Sequence, residues 1–202
     1  MDGKVFVIDD DPAMRDSLDF LLASAGFAVQ IFESAQDFLK QQPQLGFGCV
    51  VTDVRMPGMD GISLLRRIKS SPDSAALPVI VMTGDGDIPL AVEAMKLGAL
   101  DFLEKPFEDE RLISMIETAL AQQDAPPKGD DEMAARVASL TQRERQVMEG
   151  LVSGQSNKAI AREYDISPRT VEVYRANVMT KMRASNLSEL VRFALRTGMI
   201  RD

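Results

Sequence analysis

The sequence contains no histidine and a single cysteine among its 202 residues. The lack of histidine excludes Ser-His and Cys-His catalysis, most zinc chemistry and a phosphohistidine on this chain. Cys49 has no partner for a disulfide within the chain, and the apolar run G-C-V-V favours a small buried side chain over a reactive thiol. No signal peptide is visible and no apolar run approaches the roughly 20 residues that cross a bilayer, so we expect a cytoplasmic protein without membrane contact.

The formal net charge of −8 is unevenly distributed along the chain. Residues 1–124 carry 10 Lys and Arg against 21 Asp and Glu, whereas residues 140–202 carry 11 against 7. This asymmetry predicts two domains with different partners, and the basic one is the candidate for binding a polyanion. A polar segment with two prolines and a glycine separates them. We therefore predict domains at 1–121 and 140–202, joined by a linker at 122–139 that can be partly helical.

The acidic half alternates short apolar runs with stretches of helical periodicity, five times in succession. That pattern predicts an α/β fold: a five-stranded parallel (βα)5 sheet covered by helices on both faces. Because the carboxyl ends of parallel strands meet at one edge, the residues that follow the strands are the informative ones. They are Asp9, Asp10, Asp53, Thr83 and Lys105.

This set of residues makes chemical sense together. Carboxylates are ligands for Mg²⁺ and can accept a phosphoryl group, and an ammonium and a hydroxyl neutralise phosphoryl oxygens. Each residue also has a plainer interpretation. The acids can form a solvated loop, Asp53 can cap a helix, Thr83 can cap a turn and Lys105 can be a surface charge.

Residues 4–121 resemble the receiver domain of two-component response regulators. The resemblance rests on V-F-V-I-D-D-D, V-V-T-D-V-R-M-P-G-M-D-G, V-M-T-G and F-L-E-K-P-F, in that order and at the family's spacing. It implies that Asp53 is the phosphoacceptor and that Asp10, Asp53 and the backbone carbonyl of Arg55 bind Mg²⁺, with Asp9 acting largely through water. It also implies that Thr83 and Lys105 bind the phosphoryl oxygens, that Lys105-Pro106 is a cis bond, and that Phe102, otherwise a core residue, is an aromatic switch.

The basic half predicts four short helices. A helix opened by Ser167 and Pro168 shows a polar, partly basic outer face, which is typical of a helix-turn-helix DNA reader. A small four-helix scaffold with an ordinary solvated face is the alternative. The motifs L-T-Q-R-E-R-Q-V-M, G-x-S-N-K-A-I-A and I-S-P-R-T-V-E-V-Y-R-A-N-V-M-T-K-M resemble the LuxR-type DNA-binding domain, although Tyr174 stands where many relatives carry His.

That resemblance implies a set of DNA-binding residues on this helix and the one before it: Lys158, Arg169, Thr170, Glu172, Val173, Ala176, Asn177 and Lys181. Few of them are basic, so one copy should bind DNA weakly and two copies should pair on adjacent half-sites.

A receiver followed by a LuxR-type domain resembles the NarL/FixJ class of response regulators, and in particular its FixJ-type nitrogen-fixation regulators. The resemblance implies phosphorylation by a FixL-like sensor histidine kinase, a homodimer, promoter binding and activation of transcription with RNA polymerase. The dimer face would comprise Val92, Met95, Lys96 and Asp101. We expect no enzyme activity beyond self-phosphorylation and autodephosphorylation.

Two other functions remain open. The opening V-F-V-I-D-D-D-P loosely matches haloacid-dehalogenase phosphatases, with Asp9 as nucleophile and Asp11 as acid, but Ala13 stands where that family has Thr or Val. Alternatively, the receiver acts through protein partners alone and the second domain is a dimerisation scaffold. The site of phosphorylation and the binding of DNA distinguish these possibilities.

Overall fold

The computed structural model describes residues 3–84, 88–121 and 135–196 of the chain. These residues belong to two compact units. The first comprises Met1–Asp87 with Leu97–Ala125, and the second comprises Ile88–Lys96 with Pro126–Asp202. One helix, Ile88–Lys96, lies within the predicted first domain but is grouped with the second unit.

The first unit contains the predicted parallel sheet. Its five strands run in the spatial order β2-β1-β3-β4-β5, and every neighbouring pair is parallel. Valine and isoleucine dominate the central strands, which are buried on both faces, as expected for a sheet covered by helices. The strands are β1 (Lys4–Ile8), β2 (Ala28–Phe32), β3 (Cys49–Asp53), β4 (Val79–Thr83) and β5 (Asp101–Glu104).

Helices follow the strands in sequence: α1 (Pro12–Ser24), α2 (Ala35–Leu45), α3 (Gly61–Ser70), α4 (Ile88–Lys96) and α5 (Asp109–Ala121). Side chains of α1 and α5 pack with alternate residues of the strands in one buried cluster that includes Val7, Leu18 and Leu112. On the other face, Phe38 of α2 lies with its ring centroid 5.9 Å from that of Phe6. The covered sheet that the sequence predicts is therefore confirmed.

In addition to α4, the second unit contains the predicted helical domain. Its helices are α6 (Gln142–Val152), α7 (Asn157–Glu163), α8 (Pro168–Met182) and α9 (Leu187–Arg196), and residues 135–138 form a further helical turn. Side chains cap three of these helices: Ser156 and Ser167 accept hydrogen bonds from Ala159 N and Thr170 N, and Thr141 forms a capping box with Glu144. Short capped helices fix the turn between α7 and α8 and thereby the direction of α8.

Two expectations from the sequence concern what the chain lacks. Cys49 is buried in β3, and burial raises the pKa of its thiol to about 12, so it is a core side chain and not a nucleophile. Within the part of the chain that the structure describes, no helix has the length and apolar character needed to span a bilayer.

Candidate phosphoacceptor site and nucleic-acid interface

Three polar side chains from three different strand ends meet at the carboxyl edge of the sheet. Asp9 follows β1, Asp53 is the last residue of β3, and Lys105 follows β5. The Lys105 Nζ donates a hydrogen bond to Asp53 Oδ1 at 2.5 Å and another to Asp9 Oδ2 at 3.1 Å. The convergence that the strand pattern predicts is therefore present, across separations of 96 and 52 residues in the chain.

The electrostatics of this cluster favour a charged lysine between two carboxyl groups. Burial disfavours the Lys105 ammonium, but hydrogen bonds and charge from Asp53 and Asp9 outweigh it, so the pKa of Lys105 is raised. Burial is the largest effect on Asp9 and raises its pKa, against the lowering by the Asp11 backbone N–H and by Lys105. The site thus holds a permanent cation beside a carboxyl group whose ionisation is costly.

The other predicted receiver residues lie around this cluster. The backbone N–H of Arg55 donates to Asp53 Oδ2 at 2.5 Å, and Asp10 is exposed beside Asp9. Thr83 ends β4, is buried, and its carbonyl accepts a hydrogen bond from Lys105 N at 2.7 Å. Phe102 is half-buried in β5, paired in register with Val81 of β4. Asp10 and Arg55 follow β1 and β3, the strands that bring Asp9 and Asp53 to this edge, whereas Thr83 and Phe102 lie on β4 and β5.

Two local features of this edge agree with the sequence. The peptide bond Lys105-Pro106 is cis, as predicted. Asp11, the third acid of the run, is exposed and is the N-cap of α1, where its Oδ1 accepts a hydrogen bond from Ala13 N at 2.9 Å. Asp11 is therefore directed to the helix start, which leaves Asp9 and Asp53 as the pair that shares Lys105.

The donor atoms of this edge fit a hard cation. Among the described residues, no group of three or more His, Cys, Asp or Glu side chains is placed to hold a metal ion. Two carboxylates within hydrogen-bond reach of one ammonium are nevertheless sufficient for Mg²⁺, because this ion takes one or two carboxylates and completes its octahedron with water and phosphate oxygens.

In the second unit, α8 presents a mixed polar and apolar surface. Most of the predicted DNA-binding residues are exposed on it, and Lys158 is exposed on α7. Val173 is one of three large apolar side chains that are markedly exposed within the described chain, at 57%. Of the predicted DNA-binding residues on α8, Thr170 is half-buried and five are exposed: Arg169, Glu172, Val173, Ala176 and Asn177.

Comparison with known proteins identifies two domain families in the chain. The chain matches the response regulator receiver domain family over residues 5–117 and the bacterial regulatory proteins of the luxR family over residues 138–194. The chain belongs to the response regulators of the NarL/FixJ class.

Relatives that match nearly the whole chain are named FixJ. The transcriptional regulatory protein FixJ of Bradyrhizobium diazoefficiens is 66% identical over 99% of this chain and 98% of its own length. FixJ of Azorhizobium caulinodans is 56% identical over 96% of this chain and 93% of its own. A crystal structure of full-length FixJ from B. japonicum covers 98% of both chains at 65% identity, with a TM-score of 0.58. The chain is a FixJ-like response regulator.

One residue of this regulator's site was not predicted from the sequence. Arg15, in the first turn of α1, donates from Nη1 to the carbonyl oxygen of Asp9 at 2.7 Å. It therefore fixes the peptide between the two predicted metal ligands at the end of β1. The signal was present but weak: a residue one turn after the N-cap Asp11 directs its side chain back toward the preceding strand end.

The predicted dimer face is largely buried in this conformation of the regulator. Val92 and Met95 of α4 are 3% and 2% exposed, Asp101 is buried, and Lys96 is half-buried. A second copy therefore cannot contact Val92 or Met95 here without a change that exposes them.

Lys181 also differs from the other predicted DNA-binding residues. Its ammonium donates to Glu144 Oε2 at 2.6 Å and to the carbonyl of Ser139 at 3.3 Å. Lysine on the outer face of a predicted recognition helix suggested a phosphate contact. The structure instead gives it partners inside the second unit.

Proposed function

We propose that this response regulator is phosphorylated on Asp53 by a FixL-like sensor histidine kinase. The observation that supports this assignment is the Lys105 ammonium, which reaches Asp53 and Asp9 at once. An ammonium at this place neutralises charge that develops on a phosphoryl group during transfer to a carboxylate oxygen. The phosphorus leaves the kinase's histidine nitrogen and forms its new bond to an Asp53 carboxylate oxygen.

The neighbouring residues have distinct roles in this proposal. Lys105 and the Thr83 hydroxyl bind the phosphoryl oxygens, and the Arg55 backbone N–H holds the second oxygen of Asp53. Thr83 and Phe102 respond to the added charge, which amounts to nearly two negative charges at neutral pH. They belong to β4 and β5, so the response is transmitted along the edge of the sheet.

Magnesium is the cofactor in this proposal. Asp9, Asp10, Asp53 and the Arg55 carbonyl would hold the ion, with Asp9 acting largely through water. When bound, the ion supplies further neutralisation of the phosphoryl oxygens. Without the ion, the acids at this edge repel an incoming phosphate. Lys105 is then the only one of these residues that neutralises the phosphoryl oxygens by its charge.

The output of this proposal is transcription of nitrogen-fixation genes, which the names of the FixJ relatives suggest. Phosphorylation favours a homodimer through the face of Val92, Met95, Lys96 and Asp101, and the pair of second units binds adjacent promoter half-sites and engages RNA polymerase. Promoter binding places the protein in the cytoplasm. The chain has no enzyme activity beyond its own phosphorylation and dephosphorylation.

The test of the phosphoacceptor is incubation of the full chain with acetyl phosphate and Mg²⁺, followed by mass spectrometry of its peptides. We expect one phosphoryl group on Asp53, none on Asp53→Asn, and full labelling of the control Asp16→Asn, which alters an exposed acid of α1. A label on Asp9 would instead support the phosphatase alternative.

The test of the output is retardation of genomic DNA fragments with and without phosphorylation. We expect tighter binding by the phosphorylated chain and a footprint of two half-sites. If the phosphorylated chain retards no fragment, the regulator acts through protein partners alone.

A further inference from the structure

The carboxylate of Glu144 is the centre of a hydrogen-bonded cluster inside the second unit. Glu144 lies in the first turn of α6 and is only 4% exposed. Its Oε2 accepts hydrogen bonds from the Lys181 Nζ at 2.6 Å, from Thr141 N at 2.7 Å and from Thr141 Oγ1 at 2.9 Å. The bonds from Lys181 and from Thr141 lower the pKa of this carboxyl, so it is ionised at neutral pH.

Lys181 connects this cluster to the C-terminal turn of α8. The same ammonium donates to the carbonyl of Ser139, in the segment that precedes α6. A second bond runs between the same two places, because Arg136 Nη1 donates to the carbonyl of Met182 at 3.1 Å. The start of α6, the end of α8 and the segment 135–139 are therefore joined by side chains from all three.

The segment 135–139 is held from α6 as well. Arg145 Nη2 donates to the carbonyl of Val137 at 3.2 Å, and the Ser139 hydroxyl donates to the carbonyl of Arg136 at 2.6 Å. This segment lies at the end of the predicted linker, yet its carbonyl groups bind cations of the second unit. It is an ordered part of that unit and not a free tether.

Moving Lys181 to a DNA phosphate would be unfavourable. It would leave Glu144 ionised and buried without its counter-charge, and would remove the bond to Ser139. Lys158 and Arg169 are exposed cations on α7 and α8, so they serve as the matched controls.

We propose that Lys181 and Glu144 are positioning residues for DNA recognition, which fix the angle of α8 and fasten the segment 135–139 to it, and that Lys181 does not contact DNA. This inference rests on DNA binding by α8. It predicts that loss of Lys181 alone, which leaves the Glu144 carboxylate without its counter-charge, weakens DNA binding without removing a phosphate contact.

The dependence of binding on salt distinguishes the two roles. Each phosphate contact contributes about 0.9 to the slope of log Kobs against log salt concentration. We expect Lys181→Met in the phosphorylated full-length chain to bind a selected promoter fragment on the order of tenfold more weakly with an unchanged slope. Lys158→Gln and Arg169→Gln should each lower the slope. A slope for Lys181→Met that falls as it does for those controls would overturn the proposal.

A double substitution provides a second, independent readout. Glu144→Gln keeps an acceptor for Thr141 N, and combined with Lys181→Met it removes both charges together. We expect the double variant to recover most of the DNA affinity that Lys181→Met loses. Urea unfolding should show that the double variant is folded. If Lys181 binds a phosphate, the double variant stays as weak as the single one, and the proposal is wrong.

The failure of this proposal is distinguishable from the failure of the proposed function. The unsubstituted phosphorylated chain must retard the fragment for DNA binding by α8 to hold. The positioning role of Lys181 is then decided by the slope and by the double variant alone.

Discussion

At the scale of single residues, Val173 gives a sharp prediction about which bases α8 contacts. It is an apolar side chain, 57% exposed, on a helix whose outer face is otherwise mostly polar. The only apolar group on base edges in the major groove is the thymine 5-methyl. We expect Val173→Ala to bind the selected promoter fragment about tenfold more weakly, from the loss of two buried methyl groups at roughly 0.8 kcal/mol each.

Uracil provides the decisive comparison for Val173, because it pairs like thymine but lacks the methyl group. In a binding titration on a uracil-substituted fragment, the unsubstituted chain and Val173→Ala should bind equally well. Phe20→Ala, which truncates a 77% exposed side chain of α1, should change neither affinity. If the difference between the two proteins persists on uracil, Val173 does not contact a thymine methyl.

Lys105 gives a second prediction at the residue scale. Its ammonium binds the same two carboxylates that would hold Mg²⁺, so the lysine and the ion compete. We expect Lys105→Met to bind Mg²⁺ about tenfold more tightly by calorimetry and to accept a phosphoryl group more slowly from acetyl phosphate. Lys40→Met, which removes an exposed ion pair with Asp37 on α2, should change neither quantity. An unchanged or weaker affinity for Mg²⁺ in Lys105→Met would show that the two cations do not share a site.

At the scale of elements, the sequence could predict what depends on periodicity and on strand ends. Asp53 and Lys105 could be placed together because each follows an apolar run, and parallel strands end at one edge. Apolar periodicity predicts α2 only over about residues 34–42, whereas the helix extends through Pro43 to Leu45 although proline removes a donor. The buried aromatic contacts of Phe38 belong to tertiary packing, which periodicity does not report.

The ion pair between α6 and α8 shows where sequence reasoning stops. The capping box of Thr141 and Glu144 is a local pattern, because a Thr followed three residues later by a Glu indicates it from spacing alone. Its third partner, Lys181, is 37 residues from Glu144, and no spacing rule links them. Glu144 and Lys181 approach each other only because of how α6 and α8 pack. From the sequence alone, the carboxylate is interpreted as a helix cap and the lysine as a phosphate ligand.

This ion pair should also produce a defined dependence of stability on pH. The pKa of Glu144 is lower in the folded chain than in the unfolded one, whose value is near 4.3. The pair's contribution to the free energy of unfolding is therefore fully present above about pH 5 and is lost as the pH falls through the folded pKa. Urea unfolding should show a constant difference between the parent and Lys181→Met/Glu144→Gln above that pH, and a changing difference below it. A difference that is constant down to pH 3 would mean that Glu144 is not stabilised by its charge.

At the scale of the whole molecule, the two-domain organisation followed from the change in charge between residues 1–124 and 140–202 and from the polar segment between them. The placement of α4 did not follow from the sequence. Its sequence reads as one more helix of the repeating β-α pattern, whereas the structure groups it with the second unit and buries Val92 and Met95. Repetition in the sequence gives the order of elements, and it cannot tell which surface an amphipathic helix covers.

The burial of Met95 makes a test of the dimer possible in the full chain. Cys49 is fully buried, with a thiol pKa of about 12, so an introduced cysteine is the only reactive thiol. In a two-fold symmetric dimer, residues near the axis approach their own copies. We expect Met95→Cys to form a disulfide-linked dimer under mild oxidation when the protein is phosphorylated, and little without phosphorylation.

The control for this crosslink is Phe20→Cys, a thiol on the exposed side of α1, whose slow linkage should not respond to phosphorylation. Sedimentation of the same samples reports whether dimers are present at all. Phosphorylated dimers in which Met95→Cys remains unlinked would place the dimer axis elsewhere, and the buried face of α4 would then have another role. Linkage that requires phosphorylation means that the charge added at Asp53 exposes side chains of α4, because a thiol buried like Met95 cannot meet a second copy.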